Sequence, residues 1–321
     1  PTPTPAACLP NTREIRVETS TACNYRCSMC PRESLTRPQQ IMSDALFERV
    51  VRAARAEMPS LSMCTVSGFG DFCADPGWRN KLALARELFD EVHVVTNLAR
   101  VDDDDIATLA SLATEVRVSL YATTEETFRQ VHKPPRGVRL CDIERRARAL
   151  AARGGATLKM TCCELDANRD EIPTWITRWR HVAAHVEVWR PHNWVDGRAY
   201  REIAPAEQRL ASCGRPAAGP IQVQVDGTIN VCCFDYDGKM VVGDLSRQSL
   251  AEIFGGDALQ RIRALHADGR ADELDLCAVC DQRDPQQRRA EQLVYCSSAD
   301  AAERVLRTSS GGETLRETRR A

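Results

Sequence analysis

Three cysteines lie within eight residues near the start of the chain, in the stretch CNYRCSMC. Cys23, Cys27 and Cys30 have the spacing C-x3-C-x2-C. A structural zinc site normally has four ligands, and a disulfide framework has an even number of cysteines in an oxidising compartment. Three thiolates can hold three irons of a 4Fe–4S cube and leave the fourth iron open. The spacing therefore indicates either a cluster with an open iron or a zinc site completed by a distant Cys or His.

A second group of cysteines lies in the C-terminal third of the chain. Cys213 is followed by Cys232, five residues after Gly227, and then by the pair Cys277-x2-Cys280. Four thiolates can close either an iron–sulfur cluster or a tetrahedral zinc site. The second group therefore predicts a metal centre of its own, separate from the first.

The composition excludes several classes of function. The chain has 321 residues, 43% of them hydrophobic, which is enough for one large domain with a small appendage. The net charge of −2 and the lack of a long basic block argue against a nucleic-acid partner. No run approaches the roughly 18 apolar residues of a membrane span, and no export signal is recognisable. With fifteen cysteines, this predicts a reducing cytoplasm, where clustered cysteines bind metal.

Short β-branched runs alternate with amphipathic helical segments as far as Trp194. Six such repeats predict an α/β fold with a parallel sheet, as a barrel or partial barrel. The predicted strands span 13–19, 62–68, 91–97, 115–121, 157–163 and 185–191. The predicted helices span 43–57, 81–89, 102–113, 144–153 and 170–182.

The change of pattern at Trp194 predicts the domain boundaries. A smaller metal-bearing module follows, with a hairpin over 221–234 and a short helix near SLAEIFG. The polar end RTSSGGETLRETRRA is typical of a disordered tail. The predicted divisions are a flexible lead-in (1–12), the partial barrel (13–194), the small module (195–295), and a helix end with a disordered tail (296–321).

The first cysteine motif follows the first predicted strand, at the end of a parallel barrel where active sites lie. In this position it resembles the motif of the radical S-adenosylmethionine (SAM) superfamily. The resemblance implies a partial (β/α)6 barrel in which Cys23, Cys27 and Cys30 ligate a 4Fe–4S cluster. It also implies that SAM chelates the open iron and is cleaved by the reduced cluster to methionine and a 5′-deoxyadenosyl radical.

Five further positions resemble SAM-binding positions of this superfamily. The turn SGFGD ends the second strand, where the superfamily has a G-G-E-P-like turn for the amino group of SAM. Gly70 and Asp71 fall in that turn, with Asp in place of Glu. Asn97 and Ser119 resemble polar contacts to the ribose and carboxylate. Met29 stands where an aromatic residue often packs near adenine, and a thioether can do similar work.

The second cysteine group resembles the SPASM/Twitch extension of radical SAM enzymes. Full SPASM modules have a further cysteine six residues beyond Cys280, where this chain has Gln286. The resemblance therefore implies the Twitch form, with one auxiliary 4Fe–4S cluster. Cys233 competes with Cys232 as a ligand, and Cys232 fits the Gly-x4-Cys spacing; zinc on the same thiols is the alternative. The implied ligands are Cys213, Cys232, Cys277 and Cys280.

The segments GTINVCCFDYDGKMVVGDL and LCAVCD look like the Twitch domain of aminoglycoside-biosynthesis enzymes. These include a dehydrogenase of butirosin-type pathways and epimerases of the neomycin and hygromycin B pathways. Peptide-modifying SPASM enzymes share the motifs, and many of them carry a peptide-recognition domain ahead of the barrel. Only about a dozen residues precede the first strand here, which favours a small amino sugar as substrate. An electron donor such as flavodoxin or ferredoxin is implied as a partner.

The fifth strand, TLKMTCC, ends in two cysteines. These residues bear on whether the enzyme epimerises its substrate or oxidises it to a ketone. Because side chains alternate along a strand, Thr161 and Cys163 share the polar face, which we predict to line the barrel interior. Cys162 would pack under the outer helices. Cys163 would then be the catalytic residue, a thiol that returns a hydrogen atom to the substrate radical in an epimerase. A packing role for Cys163 is the alternative.

Other functions stay open at this level. A dehydrogenase would pass an electron from the substrate radical to the auxiliary cluster and leave a ketone. A peptide-modifying Twitch enzyme and a non-catalytic, metal-stabilised binding protein are further alternatives. Lys133 and Arg136 could reach the carboxylate of SAM. Glu187, Arg190 and His192 could bind substrate hydroxyls or act as acid–base groups.

Overall fold

The computed structural model describes most of the chain in two compact units. Both units are assembled from separate stretches of the sequence, whereas the predicted boundaries at 194 and 295 follow chain order and stay a prediction. The described residues are 9–195, 197–286, 292–297, 303–305 and 316–318. The first unit comprises Pro1–Ala22, Pro31–Val92 and Asn193–Pro285, and the second comprises Cys23–Cys30, His93–His192 and Gln286–Ala321.

All six strands predicted for the barrel are present, because each is a run of β-branched residues that suits a buried parallel sheet. Their ends differ from the predicted ends by no more than two residues. The strands are β1 (Glu14–Val17), β2 (Met63–Val66), β3 (Glu91–Thr96), β4 (Glu115–Ser119), β5 (Thr157–Cys163) and β6 (His185–Trp189).

The sheet of the second unit is parallel from β3 to β6. Its two faces differ in the way that the alternation predicts. On one face Val116, Val118 and Met160 are fully buried. On the other face Lys159 forms ion pairs with Glu115 at 3.3 Å and Glu187 at 3.4 Å. The polar face therefore carries charged side chains. The residues of the candidate site lie at the carboxyl ends of its strands.

In the first unit β1 is flanked by two parallel neighbours, β2 and β7 (Ile221–Val223). β7 pairs antiparallel with β8 (Thr228–Asn230), which pairs antiparallel with β9 (Val241–Asp244). Gly227, in the turn before β8, has φ +91°, a conformation that favours glycine. The predicted hairpin is thus confirmed, and Cys232 follows its second strand.

Two of the described helices begin at a capping box. Asp102 and Asp105 form a capping box at the start of α3, and Ser249 and Glu252 form another at α8. The helices are α1 (Asp44–Glu57), α2 (Trp78–Leu88), α3 (Asp103–Leu112), α4 (Glu125–His132), α5 (Leu140–Arg153), α6 (Ile172–Trp179), α7 (Arg215–Ala218), α8 (Leu250–Gly255), α9 (Asp257–Ala267) and α10 (Asp275–Ala278).

Helix α4 has no counterpart among the predicted helices. Thr124 caps it by accepting a hydrogen bond from the Thr127 N–H at 3.3 Å. Glu125 and Glu126 occupy its first turn, where a carboxylate interacts favourably with the positive end of the helix dipole. Lys133 ends it in the left-handed conformation, with φ +45°. The helix has only eight residues, which is too short for the apolar period to indicate it clearly.

The described part of the C-terminal region corrects the predicted helix end over 296–321. It consists of strands, of which β10 (Gln292–Ser297) pairs antiparallel with β6 and is followed by β11 (Glu303–Val305) and β12 (Arg316–Thr318). The segment QLVYCS contains β-branched and aromatic residues that favour a strand. Residues 1–8 of the predicted lead-in and the rest of the predicted tail lie outside the described residues. Among the described helices, none has the length and apolar character needed to cross a membrane.

Candidate functional site

The loop that carries the first three cysteines is joined to the end of α4. The Arg26 N–H donates to the His132 carbonyl at 3.1 Å, and the Ser28 N–H donates to the Val131 carbonyl at 2.8 Å. Carbonyls in the last turn of a helix have no acceptor role within the helix and are available for such bonds. The loop therefore takes its conformation from α4 as well as from its own residues.

N–H groups surround two of the three thiols. Cys23 Sγ accepts from the Tyr25 N–H at 3.4 Å and lies 3.8 Å from the side-chain nitrogen of Asn97. Cys27 Sγ lies 3.3 Å from Nδ1 of His132. All three cysteines of the loop are partly exposed. Donors of this kind stabilise the charge of a thiolate and orient it as a ligand. The structure thus brings Asn97 beside the cysteine motif.

Cys163 lies at the end of β5 in a small apolar cluster next to this loop. It is 5% exposed and forms the cluster with Val131 and Leu165. Met29, from the cysteine loop, and Tyr121, which follows β4, pack against the cluster. The structure therefore brings Cys163 and Met29 into one apolar cluster, although they are 134 positions apart in the sequence. The predicted contact between Met29 and adenine stays a prediction.

Two hydroxyl groups lie near the same end of the sheet. Ser119 Oγ is 3.5 Å from Thr161 Oγ1, since the register of β4 and β5 pairs these residues directly. Further back, Glu187 is 9% exposed, pairs with Lys159, and accepts from the Trp189 indole at 3.0 Å. These partners hold Glu187 within the sheet's own network rather than leaving it open to a substrate hydroxyl.

The turn after β2, in the first unit, approaches the end of β1 at backbone distance. The Gly70 N–H donates to the Ser20 carbonyl and the Asp71 N–H to the Ala22 carbonyl, both at 3.0 Å. Asp71 is 4% exposed, and its Oδ1 accepts from the Cys73 N–H at 3.0 Å, which caps the 3-10 helix Phe72–Ala74. The Asp71 side chain thus has a structural role as a helix cap, in addition to its predicted contact with SAM.

The second cysteine group lines one pocket, also in the first unit. Its volume is about 410 Å³, the open mouth included. Arg215 and His266 also line it, whereas Cys233 does not. The cysteines reach it from the segment before α7, the segment after β8, and α10 with the residues that follow. The four that line it are Cys213, Cys232, Cys277 and Cys280.

Two thiols of this pocket, those of Cys277 and Cys280, are buried enough to resist ionisation. Burial raises the pKa of Cys277 to about 11 and that of Cys280 to about 12. Cys232 Sγ accepts from the Phe234 N–H at 3.4 Å, and Cys277 Sγ lies 3.5 Å from Nε2 of His266. Binding of a metal cation would displace the thiol protons and compensate for the buried charge.

Two family models match the chain. That of the Radical SAM superfamily matches residues 17–172, and that of SPASM, an iron-sulfur cluster-binding domain, matches residues 213–281. Each cysteine group lies inside one of these ranges. The chain has a radical SAM domain followed by a SPASM domain. The comparison with curated proteins found no match.

Three solved structures illustrate the likeness of fold. BtrN in complex with AdoMet and 2-DOIA has a TM-score of 0.58 and 18% identity, covering 85% of this chain and 94% of BtrN. Tagged anSMEcpe with bound AdoMet has a TM-score of 0.62 and 17% identity, covering 84% and 90%. Streptococcus suis SuiB bound to precursor peptide SuiA has a TM-score of 0.64 and 12% identity, covering 82% and 67%. At these identities the likeness establishes the mixed α/β radical SAM fold.

The radical SAM domain implies a 4Fe–4S cluster and SAM, and the SPASM domain implies auxiliary iron–sulfur. The residues fit both groups: three partly exposed thiols, two of them with N–H donors nearby, and four thiols around one pocket. Within the described residues, no group of three or more His, Cys, Asp or Glu side chains is arranged to hold a single metal ion. The assignment of individual cysteines as ligands, and of one auxiliary cluster, stays a prediction.

Gly70→Ala in the radical SAM domain is expected to lower the free energy of unfolding. A Cβ at this position would lie 2.3 Å from the Ser20 carbonyl oxygen and 2.4 Å from that of Ala22. Both are backbone atoms that cannot rotate away, so the cost should be about 1–3 kcal/mol. Urea unfolding measures it. Gly255→Ala is the control, since nothing lies within 4 Å of its Cβ position, and equal midpoints for the two variants would contradict the argument.

Cys232→Ala is expected to remove the auxiliary cluster, whereas Cys233→Ala should retain it. Cys232 lines the pocket with the other three thiols and Cys233 does not. A hydrogen bond from Cys232 nevertheless lowers the pKa of Cys233, which makes Cys233 the rival ligand. Iron analysis and EPR of the SPASM domain's cluster measure the outcome. The reverse ranking would identify Cys233 as the ligand.

Proposed function

We propose that this radical SAM enzyme epimerises a carbinol carbon of an amino sugar, an intermediate of aminoglycoside biosynthesis, with Cys163 as the catalytic hydrogen donor. The observation that carries the proposal is the position of Cys163. It ends β5, is 5% exposed, and belongs to the apolar cluster against which Met29 of the three-cysteine loop packs. The proposed ligands are Cys23, Cys27 and Cys30 for the first cluster, and Cys213, Cys232, Cys277 and Cys280 for the auxiliary cluster.

The neighbouring cysteine lies in a different environment. Cys162 is 2% exposed, and the Asn168 amide lies 3.7 Å from its sulfur atom. Burial raises the pKa of Cys162 well above the ordinary value of a thiol. On the other face, Cys163 follows Thr161, whose hydroxyl is 3.5 Å from Ser119. These hydroxyls and the Cys163 thiol supply the polar and hydrogen-donating groups that a sugar radical would need.

The proposed residues have separable tasks. SAM held on the first cluster supplies the radical that removes hydrogen from the carbinol carbon. Cys163 then gives its S–H hydrogen atom to the opposite face of that carbon, which forms a C–H bond and leaves a sulfur radical. One electron and one proton would restore the thiol; a bound auxiliary cluster, or a donor such as flavodoxin or ferredoxin, would supply the electron. Asn97, Ser119, Gly70 and Asp71 are proposed to contact SAM.

Oxidation of the same carbon to a ketone is the second candidate. The likeness to BtrN, which was crystallised with AdoMet and 2-DOIA, covers 94% of that chain and favours a small substrate. The likeness to SuiB, crystallised with its precursor peptide, keeps a peptide substrate as a further candidate. The Cys163 thiol is the feature that favours epimerisation over oxidation, because oxidation does not require a hydrogen donor at this position.

Solvent deuterium tests the proposal. The reconstituted enzyme is incubated anaerobically with SAM, a reductant and candidate aminoglycoside intermediates in deuterated water. Because a thiol hydrogen exchanges with solvent, the epimer should carry one deuterium at the inverted carbon, and the hydrogen removed should appear in 5′-deoxyadenosine. A ketone without solvent deuterium would establish the dehydrogenase, and turnover of a peptide alone would exclude the amino sugar.

A further inference from the structure

The imidazole of His132 has a defined tautomer. This residue ends α4, is 1% exposed, and its Nε2 lies 2.9 Å from the Tyr121 backbone N–H. A backbone N–H can only donate, so Nε2 carries no proton. An imidazole without a proton on Nε2 is the neutral form, which carries one ring proton. The single ring proton is therefore on Nδ1.

The protonated nitrogen faces a cysteine of the radical SAM motif. Nδ1 of His132 lies 3.3 Å from Cys27 Sγ, within the range of an N–H···S hydrogen bond. We propose that His132 is a positioning residue that donates this hydrogen bond to Cys27 and raises the reduction potential of the cluster that Cys27 ligates. The inference rests on the proposed function only in taking Cys27 as a ligand.

The surroundings of the ring prevent it from turning away. Three aromatic rings pack around it, with centroids 5.4 Å away for Tyr25, 4.7 Å for Tyr121 and 5.3 Å for Phe128. The backbone carbonyl of His132 also accepts from the Arg26 N–H, directly before Cys27. One residue thus holds both the backbone of the loop and the sulfur atom of its central cysteine.

The effect on the cluster follows from charge. Reduction adds an electron that is shared between the irons and their sulfur ligands, and an N–H donor stabilises the more negative state. Removal of the donor should shift the potential to a more negative value and make the cluster harder to reduce. The hydrogen bond also orients Cys27, so its loss should weaken the retention of iron.

Two variants separate the two hydrogen bonds of the ring. By bond count, the amide nitrogen of Asn corresponds to Nδ1 and the amide oxygen of Gln corresponds to Nε2. His132→Asn keeps a donor for Cys27, whereas His132→Gln keeps an acceptor for the Tyr121 N–H. EPR-monitored redox titration of the reconstituted full-length protein should show a near-normal potential in His132→Asn and a more negative one in His132→Gln. His93→Gln, another buried histidine of the same unit, should leave the potential unchanged.

A spectroscopic signature tests the hydrogen bond itself. Pulsed EPR of the reduced cluster in protein labelled with ¹⁵N-histidine should detect a weakly coupled ring nitrogen that disappears in His132→Gln. Equal shifts of the reduction potential in the Asn and Gln variants would show that His132 only packs against the loop. An unchanged potential in both variants would overturn the proposal. The EPR signal of the first cluster is identified by its loss when Cys23, Cys27 and Cys30 are replaced together. If that triple variant keeps all its clusters, the ligand assignment has failed instead.

Discussion

Replacing Cys23, Cys27 and Cys30 together by alanine is expected to abolish SAM cleavage while about four irons stay bound in the SPASM domain. No cysteine of this loop lines the pocket formed by Cys213 and its partners, and the two groups lie in different family matches. Loss of one set of thiols should therefore remove one cluster only. Iron analysis and the formation of 5′-deoxyadenosine after anaerobic reconstitution measure both effects.

A matched control distinguishes loss of ligands from loss of any thiol. Cys141, in α5, is an exposed free cysteine, and its replacement by alanine should change neither iron content nor SAM cleavage. Formation of 5′-deoxyadenosine above background in the triple variant would contradict the ligand assignment. Complete loss of iron would show that the two clusters are not independent.

Cys163→Ala is expected to change the product from an epimer to a ketone. Removal of hydrogen from the substrate does not need the thiol, so SAM cleavage should continue. The substrate radical would then lack a hydrogen donor, and the loss of a proton and an electron, with the auxiliary cluster as acceptor, would be its remaining route. Product analysis by mass spectrometry, with quantification of 5′-deoxyadenosine, measures the change.

The adjacent residue supplies the control. Cys162→Ala removes a buried sulfur from the opposite face of β5, which should cost on the order of 1 kcal/mol of stability and leave the product unchanged. If Cys163→Ala still forms the epimer, another group donates the hydrogen. If the unaltered enzyme already forms a ketone, Cys163 has only a packing role and the dehydrogenase candidate replaces the epimerase.

Local pattern was sufficient for much of the fold. The six strands begin and end within two residues of their predicted positions, because strand period and β-branched composition are properties of a few consecutive residues. The first cysteine group falls inside the radical SAM match for a similar reason, since the spacing of ligands along one loop is itself a local constraint. Burial alternates along TLKMTCC as predicted from Thr157 to Cys162, whereas Cys163, predicted on the polar face, is buried as well.

Tertiary structure decided which groups surround those motifs. His132 is 105 residues from Cys27, and it ends a helix that the sequence did not indicate; the prediction considered its neighbour Lys133 instead. The sequence signal for that helix was Thr124, a residue type that often caps helices, followed by Glu125 and Glu126. The hydrogen bond between His132 and Cys27 depends on the packing of α4 against the cysteine loop. Such a contact joins distant segments, so no spacing within either segment encodes it.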